Sequence, residues 1–159
     1  MSALVAASDA DFGWLLGDGT ASDGLVLPEG GIETPEVLTM LRTLAAKLRS
    51  SDSAAAWMIV AEGEVVGLIS YVTAPDDAAA VEIGFGIAAT RRGRGFATHA
   101  VADLVALSRA QGHVRTLTAG TAPSNIASQK ALSRAGFQQH GTRTDPDDGE
   151  LLEWRLTLT

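Results

Sequence analysis

Three short apolar segments separated by turns, followed at once by a helical pattern, limit the fold of this chain more than any other feature. Residues 55–74 contain two apolar runs on either side of EGE at 62–64, which is typical of a β-hairpin. The turn PDDA at 75–78 leads into a third run, AAVEIGFGIAA. Residues 96–111 then place apolar pairs at helical spacing. A meander that continues into a helical crossover predicts an α/β sheet of mixed strand direction.

The remaining segments complete the predicted element order β-α-α-β-β-β-α-β-α-β-β. Ser8 and Thr34 stand where helix N-caps are expected, and Pro35 suits the first position of a helix. We expect one domain over residues 1–159, with a mixed, mostly antiparallel central sheet of about seven strands and helices on both faces. The other predicted elements are strands at 4–7, 114–120, 137–143 and 150–158 and helices at 9–18, 35–50 and 125–135.

Composition argues against several kinds of site and partner. The 159 residues include no cysteine, which excludes disulfide bonds and thiolate metal sites, and the three histidines share no metal-ligand spacing. The N-terminal segment lacks a basic start and has acids among its apolar residues, so we expect no signal peptide, no membrane span and a cytoplasmic location. A net charge of −7 without interleaved aromatic residues argues against a nucleic-acid partner.

Charge is distributed unevenly along the chain. Residues 1–90 hold thirteen acids and three bases, a net charge of −10, whereas residues 91–159 hold six acids and nine bases, a net charge of +3. Such a division predicts an anionic ligand near residues 91–159 and is compatible with a cationic ligand near residues 1–90. Much of this charge is also expected on solvated surface.

The segment RRGRGFATHA at 91–100 places three arginines and two glycines at the start of a predicted helix. A helix N-terminus offers unpaired N–H groups and partial positive charge, and Gly93 and Gly95 let phosphate oxygens approach the backbone. The segment therefore predicts a pyrophosphate site. It is not a P-loop, because the chain has no Gly-Lys pair, and Thr98 replaces the third glycine of a Rossmann fingerprint.

These residues resemble the GNAT acetyltransferase superfamily. The family signature Gln/Arg-x-x-Gly-x-Gly/Ala is matched by Arg92, Gly95 and Ala97 in RGRGFA. A second family segment, an Asn that leads a helix ending in Gly-Phe, is matched by NIASQKALSRAGF at 125–137. The Asn-x-x-Ser pattern at its start is closest to the branch of ribosomal-protein N-terminal acetyltransferases. The resemblance implies a GNAT-like fold.

The resemblance also implies that acetyl-CoA is the acyl donor and that backbone amides of the signature loop hold its pyrophosphate. It makes Asn125 a contact to the pantetheine arm or to an ordered water, and an N-cap role explains that residue equally well. No metal is implied. The cofactor-binding residues that the resemblance assigns are Ile87, Arg92, Gly93, Arg94, Gly95, Phe96, Ala97 and Asn125.

Two residues are candidates for catalysis. Glu82 shares one face of its predicted strand with Gly84 and Gly86, a face that leaves space for a ligand. By resemblance an acid here is the base, acting directly or through water, and the alternative is a solvent-facing strand residue. Ser128 is placed by the resemblance to hydrogen-bond the leaving sulfur, and the alternative is a small residue packed in a helix. Leu132 stands where many relatives have a Tyr general acid.

The activity implied is transfer of acetyl from acetyl-CoA to an amine by direct attack in a ternary complex. The acceptor is a protein N-terminus or a small-molecule amine, and a non-catalytic acyl-CoA-binding or sensor module is the alternative. An α-amine with a pKa of about 8 is partly neutral at physiological pH, whereas a lysine with a pKa near 10.4 is almost fully charged. A site without a Tyr acid is therefore easier to reconcile with an α-amine. The sequence leaves the choice between monomer and homodimer open.

Overall fold

The computed structural model describes residues 2–50 and 53–158, apart from the side chain of Ser22. The element order is the one that the sequence predicts. The strands are β1 (Ser2–Ala6), β2 (Ala56–Ala61), β3 (Glu64–Tyr71), β4 (Ala80–Ile87), β5 (Thr116–Thr121), β6 (Gln138–Asp145) and β7 (Gly149–Thr157). The α-helices are α1 (Asp9–Leu15), α2 (Pro35–Leu48), α3 (Phe96–Gln111) and α4 (Ile126–Arg134).

The seven strands form one sheet in the order β1-β2-β3-β4-β5-β7-β6. Every neighbouring pair is antiparallel except β4 and β5, which are parallel and are joined through α3. A parallel pair requires a crossover of this kind, whereas the antiparallel pairs need only short turns. The expected mixed, mostly antiparallel sheet of seven strands is confirmed.

Side chains of β2 alternate between two cores, one on each face of the sheet. Trp57 and Ile59 pack on the face covered by α3 and α4, and Met58 packs on the face covered by α1 and α2. This alternation follows from the two-residue period of a strand. Helices on both faces, as predicted, therefore bury both sides of the central strands.

The predicted turn and cap residues perform their local roles. Ser8 caps α1 in a capping box with Asp11, and Thr34 caps α2 by accepting a hydrogen bond from the N–H of Val37. Glu62 and Gly63, between β2 and β3, both have positive φ angles of 52° and 78°, the geometry of a tight hairpin turn. Local sequence signals therefore set where these elements begin and how they connect.

The parallel pair separates soon after it forms, and this separation creates the site. β4 pairs with β5 only from Ala80 to Glu82, opposite Thr116 to Thr118. Beyond that point β4 stays paired with β3 as far as Ile87, whereas β5 stays paired with β7. A cleft therefore opens between the ends of β4 and β5. Ligands of open α/β sheets bind at such divergences.

Candidate active site

The backbone of β4 presents hydrogen-bonding groups to this cleft. The N–H of Val72 donates to the Glu82 carbonyl, and the N–H of Ala88 donates to the carbonyl of Val66, both at 2.8 Å. Because backbone groups alternate in direction along an antiparallel pair, the even-numbered residues of β4 bond to β3. The N–H group of Phe85 therefore points away from β3, into the cleft. An unpaired N–H at this position is able to bind a carbonyl oxygen or an oxyanion.

The signature loop, defined as residues 91–97, turns the chain from β4 into α3. Gly93 and Gly95 both lie in the left-handed region, with φ angles of 80° and 82°, and a Cβ on either would meet no atom within 4 Å. Gly95 is the N-cap of α3 and provides no side-chain cap. The N–H groups of Phe96 and Ala97 are therefore left for a ligand at the positive end of the helix. The signature loop has the geometry that an anion requires.

The three arginines of the signature loop have different surroundings. Arg91 makes a bidentate ion pair with Glu64 at 2.6 and 3.0 Å, which lowers the pKa of the Glu64 carboxyl and fixes the loop to β3. The Nε of Arg92 donates to the Ile87 carbonyl at 3.2 Å, so this side chain folds back over the end of β4. The Arg94 side chain is exposed. Arg91 is thus structural, and Arg92 and Arg94 leave charge for a ligand.

Helix α4 supplies further positive charge to a surface depression that the signature loop lines. Lys130 and Arg134 lie one turn apart and line it together with Ala127, opposite the signature loop. Neither residue was among the sequence-predicted cofactor contacts. Six of the eight predicted contacts line this depression: Ile87, Arg92, Gly93, Gly95, Phe96 and Ala97. Arg94 and Asn125 are not part of its lining. The structure thus brings six of the predicted residues together and adds two cations.

Removing the two α4 cations is expected to weaken coenzyme A binding. Lys130→Ala with Arg134→Ala should raise the Kd for coenzyme A by about 10-fold, since each exposed charge contact contributes up to about 1 kcal/mol. The Kd is measured by calorimetry at two salt concentrations, and added salt should reduce the difference. Arg109→Ala removes a cation at the other end of α3 and is the control. An equal Kd for the double variant and the control would exclude α4 from the site.

Asn125 and Ser128 lie at the start of α4. The Oδ1 of Asn125 accepts a hydrogen bond from the N–H of Ser128 at 3.2 Å, so the N-cap role is present. The Ser128 hydroxyl bonds to no other residue in the described part of the chain and is partly exposed. Leu132 is fully buried in the core between α4 and the sheet. Leu132 therefore has a packing role.

Glu82 is held by an ion pair across the sheet. Its carboxylate accepts hydrogen bonds from Arg143 of β6 at 2.9 and 3.1 Å, and these bonds raise the pKa of the Arg143 guanidinium. Arg143 also contacts Glu153 of β7 at 3.5 Å. The bidentate geometry leaves outer lone pairs of the carboxylate open to a water or an ammonium group. Glu82 is therefore fixed in orientation at the point where β4 and β5 separate.

Gly120 of β5 provides the path for this ion pair. A Cβ on Gly120 would lie 3.2 Å from a guanidinium nitrogen of Arg143, so a larger residue would displace that side chain. The arginine therefore crosses β5 above a glycine to reach β4. This contact connects β4 and β6 across the two strands between them, β5 and β7.

The glycine face of β4 borders a cavity of about 200 Å³ beneath α2, which we name the α2 cavity. Gly84 and Gly86 form part of its wall, as expected for a strand face that leaves space. Glu82 precedes Gly84 on the same face, about 7 Å along the strand. The cleft between β4 and β5 and the α2 cavity thus adjoin at β4. A donor in the cleft and an acceptor in the cavity would meet there.

Comparison with known proteins agrees with this arrangement. A sequence model described as Acetyltransferase (GNAT) domain matches residues 28–138, well over half of the chain. The chain belongs to the GNAT acetyltransferase family. The GNAT match includes the loop before α2, β4, the signature loop and all of α4.

Among curated proteins, an N-acetyltransferase of Bacillus subtilis strain 168, YjdG, described as uncharacterized, is 28% identical over 104 residues. This GNAT comparison covers 64% of the present chain and 62% of YjdG, so it spans less than two thirds of that relative.

Solved GNAT structures resemble the whole fold. RimL, a ribosomal L7/L12 α-N-protein acetyltransferase in complex with coenzyme A, is 17% identical with a TM-score of 0.74, covering 99% of this chain and 94% of RimL. The aminoglycoside acetyltransferase AAC(6')-Ib, in complex with coenzyme A and kanamycin, is 20% identical with a TM-score of 0.69, covering 99% of this chain and 95% of the other. At these identities the likeness concerns the fold.

Two further observations concern other classes of site. In residues 2–50 and 53–158, no group of three or more His, Cys, Asp or Glu side chains is arranged to hold a metal ion. No helix within those ranges has the length and apolar character needed to span a membrane.

Proposed function

We propose that this GNAT protein transfers an acetyl group from acetyl-CoA to a primary amine. The observation that supports the proposal most is the divergence of β4 and β5 directly beside the signature loop. The cleft offers the Phe85 N–H group, and the loop offers the amides of Phe96 and Ala97 with the cations of Arg92 and Arg94. These groups fit a thioester arm that ends in a pyrophosphate. RimL and AAC(6')-Ib, which share the fold, have been solved with coenzyme A.

In the proposed reaction the amine nitrogen attacks the thioester carbonyl carbon, the carbon–sulfur bond breaks, and the nitrogen loses a proton. The N–H of Phe85 stabilises the oxyanion that forms at the carbonyl oxygen. The cleft holds the thioester and the α2 cavity holds the amine, so that the amine nitrogen lies against the carbonyl carbon. This positioning accounts for much of the rate. A thiol with a pKa of about 8.5 leaves readily, so a strong general acid is not needed.

We propose that Glu82 receives the proton of the amine through an intervening water. The carboxylate is held by two hydrogen bonds from Arg143, and its outer lone pairs are able to accept a hydrogen bond from that water. We further propose that the Ser128 hydroxyl donates a hydrogen bond to the departing sulfur. Asn125 uses its side-chain oxygen as the cap of α4, which leaves its NH₂ group as a donor to the thioester arm.

Thiol release from acetyl-CoA, measured across a panel of amines, tests the proposed reaction. Transfer predicts amine-dependent release of coenzyme A and formation of an N-acetyl product with one added acetyl group. A binding or sensor module would bind acetyl-CoA with no amine-dependent release. Saturable turnover of any amine would therefore exclude the sensor alternative.

Ligand-linked stability is a second test of the donor. A ligand that binds only the folded state raises the free energy of unfolding by about 2.7 kcal/mol at a concentration 100 times its Kd. Acetyl-CoA at that concentration should raise the Tm by several degrees, about 2–4 °C per kcal/mol for a domain of this size. NAD should cause little change, because the Rossmann fingerprint is incomplete. A larger shift with NAD than with acetyl-CoA would contradict the proposed donor.

The proposal includes a cytoplasmic location, where a coenzyme A thioester is available as donor. The acceptor is either a protein N-terminus or a small-molecule amine, and the α2 cavity bears on that choice.

A further inference from the structure

The α2 cavity is enclosed mainly by hydrocarbon. It lies between α2 and the glycine face of β4, on the face of the sheet opposite α3. Its volume of about 200 Å³ accommodates several non-hydrogen atoms. Its apolar lining consists of the side chains of Ile32, Val37, Met40, Leu41, Leu68 and Val72.

Glu33 supplies a carboxylate to the lining of the α2 cavity. Its Oε1 accepts a hydrogen bond from the N–H of Thr34 at 3.1 Å, which fixes the side chain at the start of α2. Its Oε2 lies 3.5 Å from the position that a Cβ on Gly86 would occupy. The second oxygen is therefore directed over β4, beside the cleft. The side chain is exposed enough to meet an entering ligand.

Ser70 is the second polar side chain of the α2 cavity. It is 4% exposed and stands opposite Gly84 in the antiparallel pair of β3 and β4. Its hydroxyl makes no hydrogen bond to another residue in the described part of the chain. The hydroxyl oxygen is accessible from the cavity, so a water or a ligand there is able to bond to it. Ser70 is therefore positioned to bond to a polar group of the occupant.

We infer that the α2 cavity selects a primary amine with one positive charge, an apolar body and one further hydrogen-bonding group. Glu33 binds the ammonium form at the edge of the cleft, the hydrocarbon lining binds the body, and Ser70 bonds to the further group. This inference rests on the proposed acetyl transfer for the fate of the amine. An α-amine next to an aliphatic side chain and an amide has this chemistry.

A polycationic acceptor does not suit the same lining. A second ammonium group within the α2 cavity would lie against Val37, Leu41 and Leu68, where no second carboxylate lines the wall. Burial of an unpaired charge among such side chains is strongly unfavourable. Glu82 is paired with Arg143 and lies outside this lining. Polyamine sugars are therefore expected to be poor acceptors.

Three amino-acid amides that differ only in their side chain test the inference. Leucinamide has an apolar body, glycinamide has none, and lysinamide adds a second ammonium group. Burial of an isobutyl group predicts a kcat/KM for leucinamide about 10- to 100-fold above that for glycinamide. Lysinamide should fall at least about 10-fold below leucinamide. Values for the three amides within about 3-fold of one another would overturn the inference.

Variants of the cavity test the assigned contacts. Glu33→Gln should raise the KM for leucinamide by about 10-fold, since a hydrogen bond to a charged group is lost, and leave the KM for acetyl-CoA unchanged. Ser70→Ala should reduce the preference for leucinamide over isopentylamine, which lacks the amide. Glu36→Gln removes an exposed carboxylate in the first turn of α2 and is the control. Equal KM values for Glu33→Gln and Glu36→Gln would overturn the role of Glu33.

Calorimetric titration of leucinamide into the coenzyme A-saturated protein separates this inference from the proposed function. Glu33-dependent binding without acetylation of any amine would support the cavity assignment and contradict acetyl transfer. Acetylation of all three amides at similar efficiency would support acetyl transfer and overturn the assignment. Absence of leucinamide binding would overturn the assignment as well.

Discussion

Substitution of Gly95 by Asp is expected to lower the affinity for coenzyme A by at least about 100-fold. Gly95 precedes the free amides of α3, and a Cβ on it would project into the open space that a pyrophosphate would occupy. A carboxylate there repels the phosphates, and two unit charges about 4 Å apart interact by roughly 4 kcal/mol near a protein surface. The same carboxylate also competes for the N–H groups of Phe96 and Ala97.

The backbone conformation adds a cost that must be separated from this effect. Gly95 has a φ angle of 82°, and a side chain in the left-handed region costs about 1–2 kcal/mol. Gly112→Asp is a matched control, because Gly112 ends the same helix with a φ angle of 77° and equally open surroundings. Both variants change charge and strain alike, and only Gly95→Asp places the charge at the proposed phosphate site.

Calorimetry with coenzyme A on both folded variants gives the decisive comparison. We expect Gly112→Asp to bind coenzyme A with nearly the affinity of the unsubstituted protein. Thermal unfolding without ligand should show a modest loss of Tm in both variants. Unchanged coenzyme A affinity in a folded Gly95→Asp protein would remove the signature loop from the binding site.

Local chemistry explains why the sequence predicts so much of this fold. A cap such as Ser8, a proline such as Pro35 and a turn such as Glu62-Gly63 act on neighbouring residues, so their effect is visible within a short window. The glycines of the signature loop belong to the same class, because positive φ angles leave few other residue types available. The order of the strands follows from these boundaries and from the rule that a helix joins parallel neighbours.

The contacts that the sequence did not predict join residues far apart in the chain. Arg143 bonds to Glu82, 61 positions away, and nothing in either segment specifies the partner. Arg91 and Arg92 are adjacent residues of the same type, yet only Arg91 bonds to Glu64, 27 positions away. Such pairs depend on strand register and on which helix face is buried, which single residues do not specify.

Two missed groups did leave signals in the sequence. Lys130 and Arg134 have the four-residue spacing that places side chains on one helix face, and Ala127 shares that face. The spacing predicts a basic stripe, but not that the stripe lies opposite the signature loop. Glu33 lies in a glycine-rich loop whose path over β4 depends on the packing of α2. Loops of this kind have no periodicity from which their position follows.

Substitution of Glu82 by Gln is expected to lower kcat by about 10²- to 10⁴-fold, the usual contribution of a positioned base. The affinity for coenzyme A should change little, because the signature loop lies at the other end of the cleft. The amide retains the shape of the side chain but cannot receive a proton. The loss in kcat should be smaller at high pH, where more of the acceptor amine is already neutral.

Glu153→Gln is the matched control for this substitution. Glu153 contacts the same guanidinium at 3.5 Å but lies on β7, away from β4. Loss of Glu153 perturbs Arg143 without removing the proposed base. We therefore expect kcat of Glu153→Gln to stay within a few-fold of the unsubstituted enzyme, and an equal loss in both variants would assign the effect to the ion-pair network.

Arg143→Gln distinguishes a base from a residue that only anchors the acceptor. The guanidinium holds the Glu82 carboxylate through two hydrogen bonds, so its removal should free that side chain to rotate. If Glu82 is the base, Arg143→Gln should lower kcat part of the way towards the value of Glu82→Gln. If Glu82 only attracts a cation, both variants should change the KM of the acceptor and leave kcat intact. Unchanged kcat and KM in Glu82→Gln between about pH 6 and 9 would leave the enzyme to work by positioning alone.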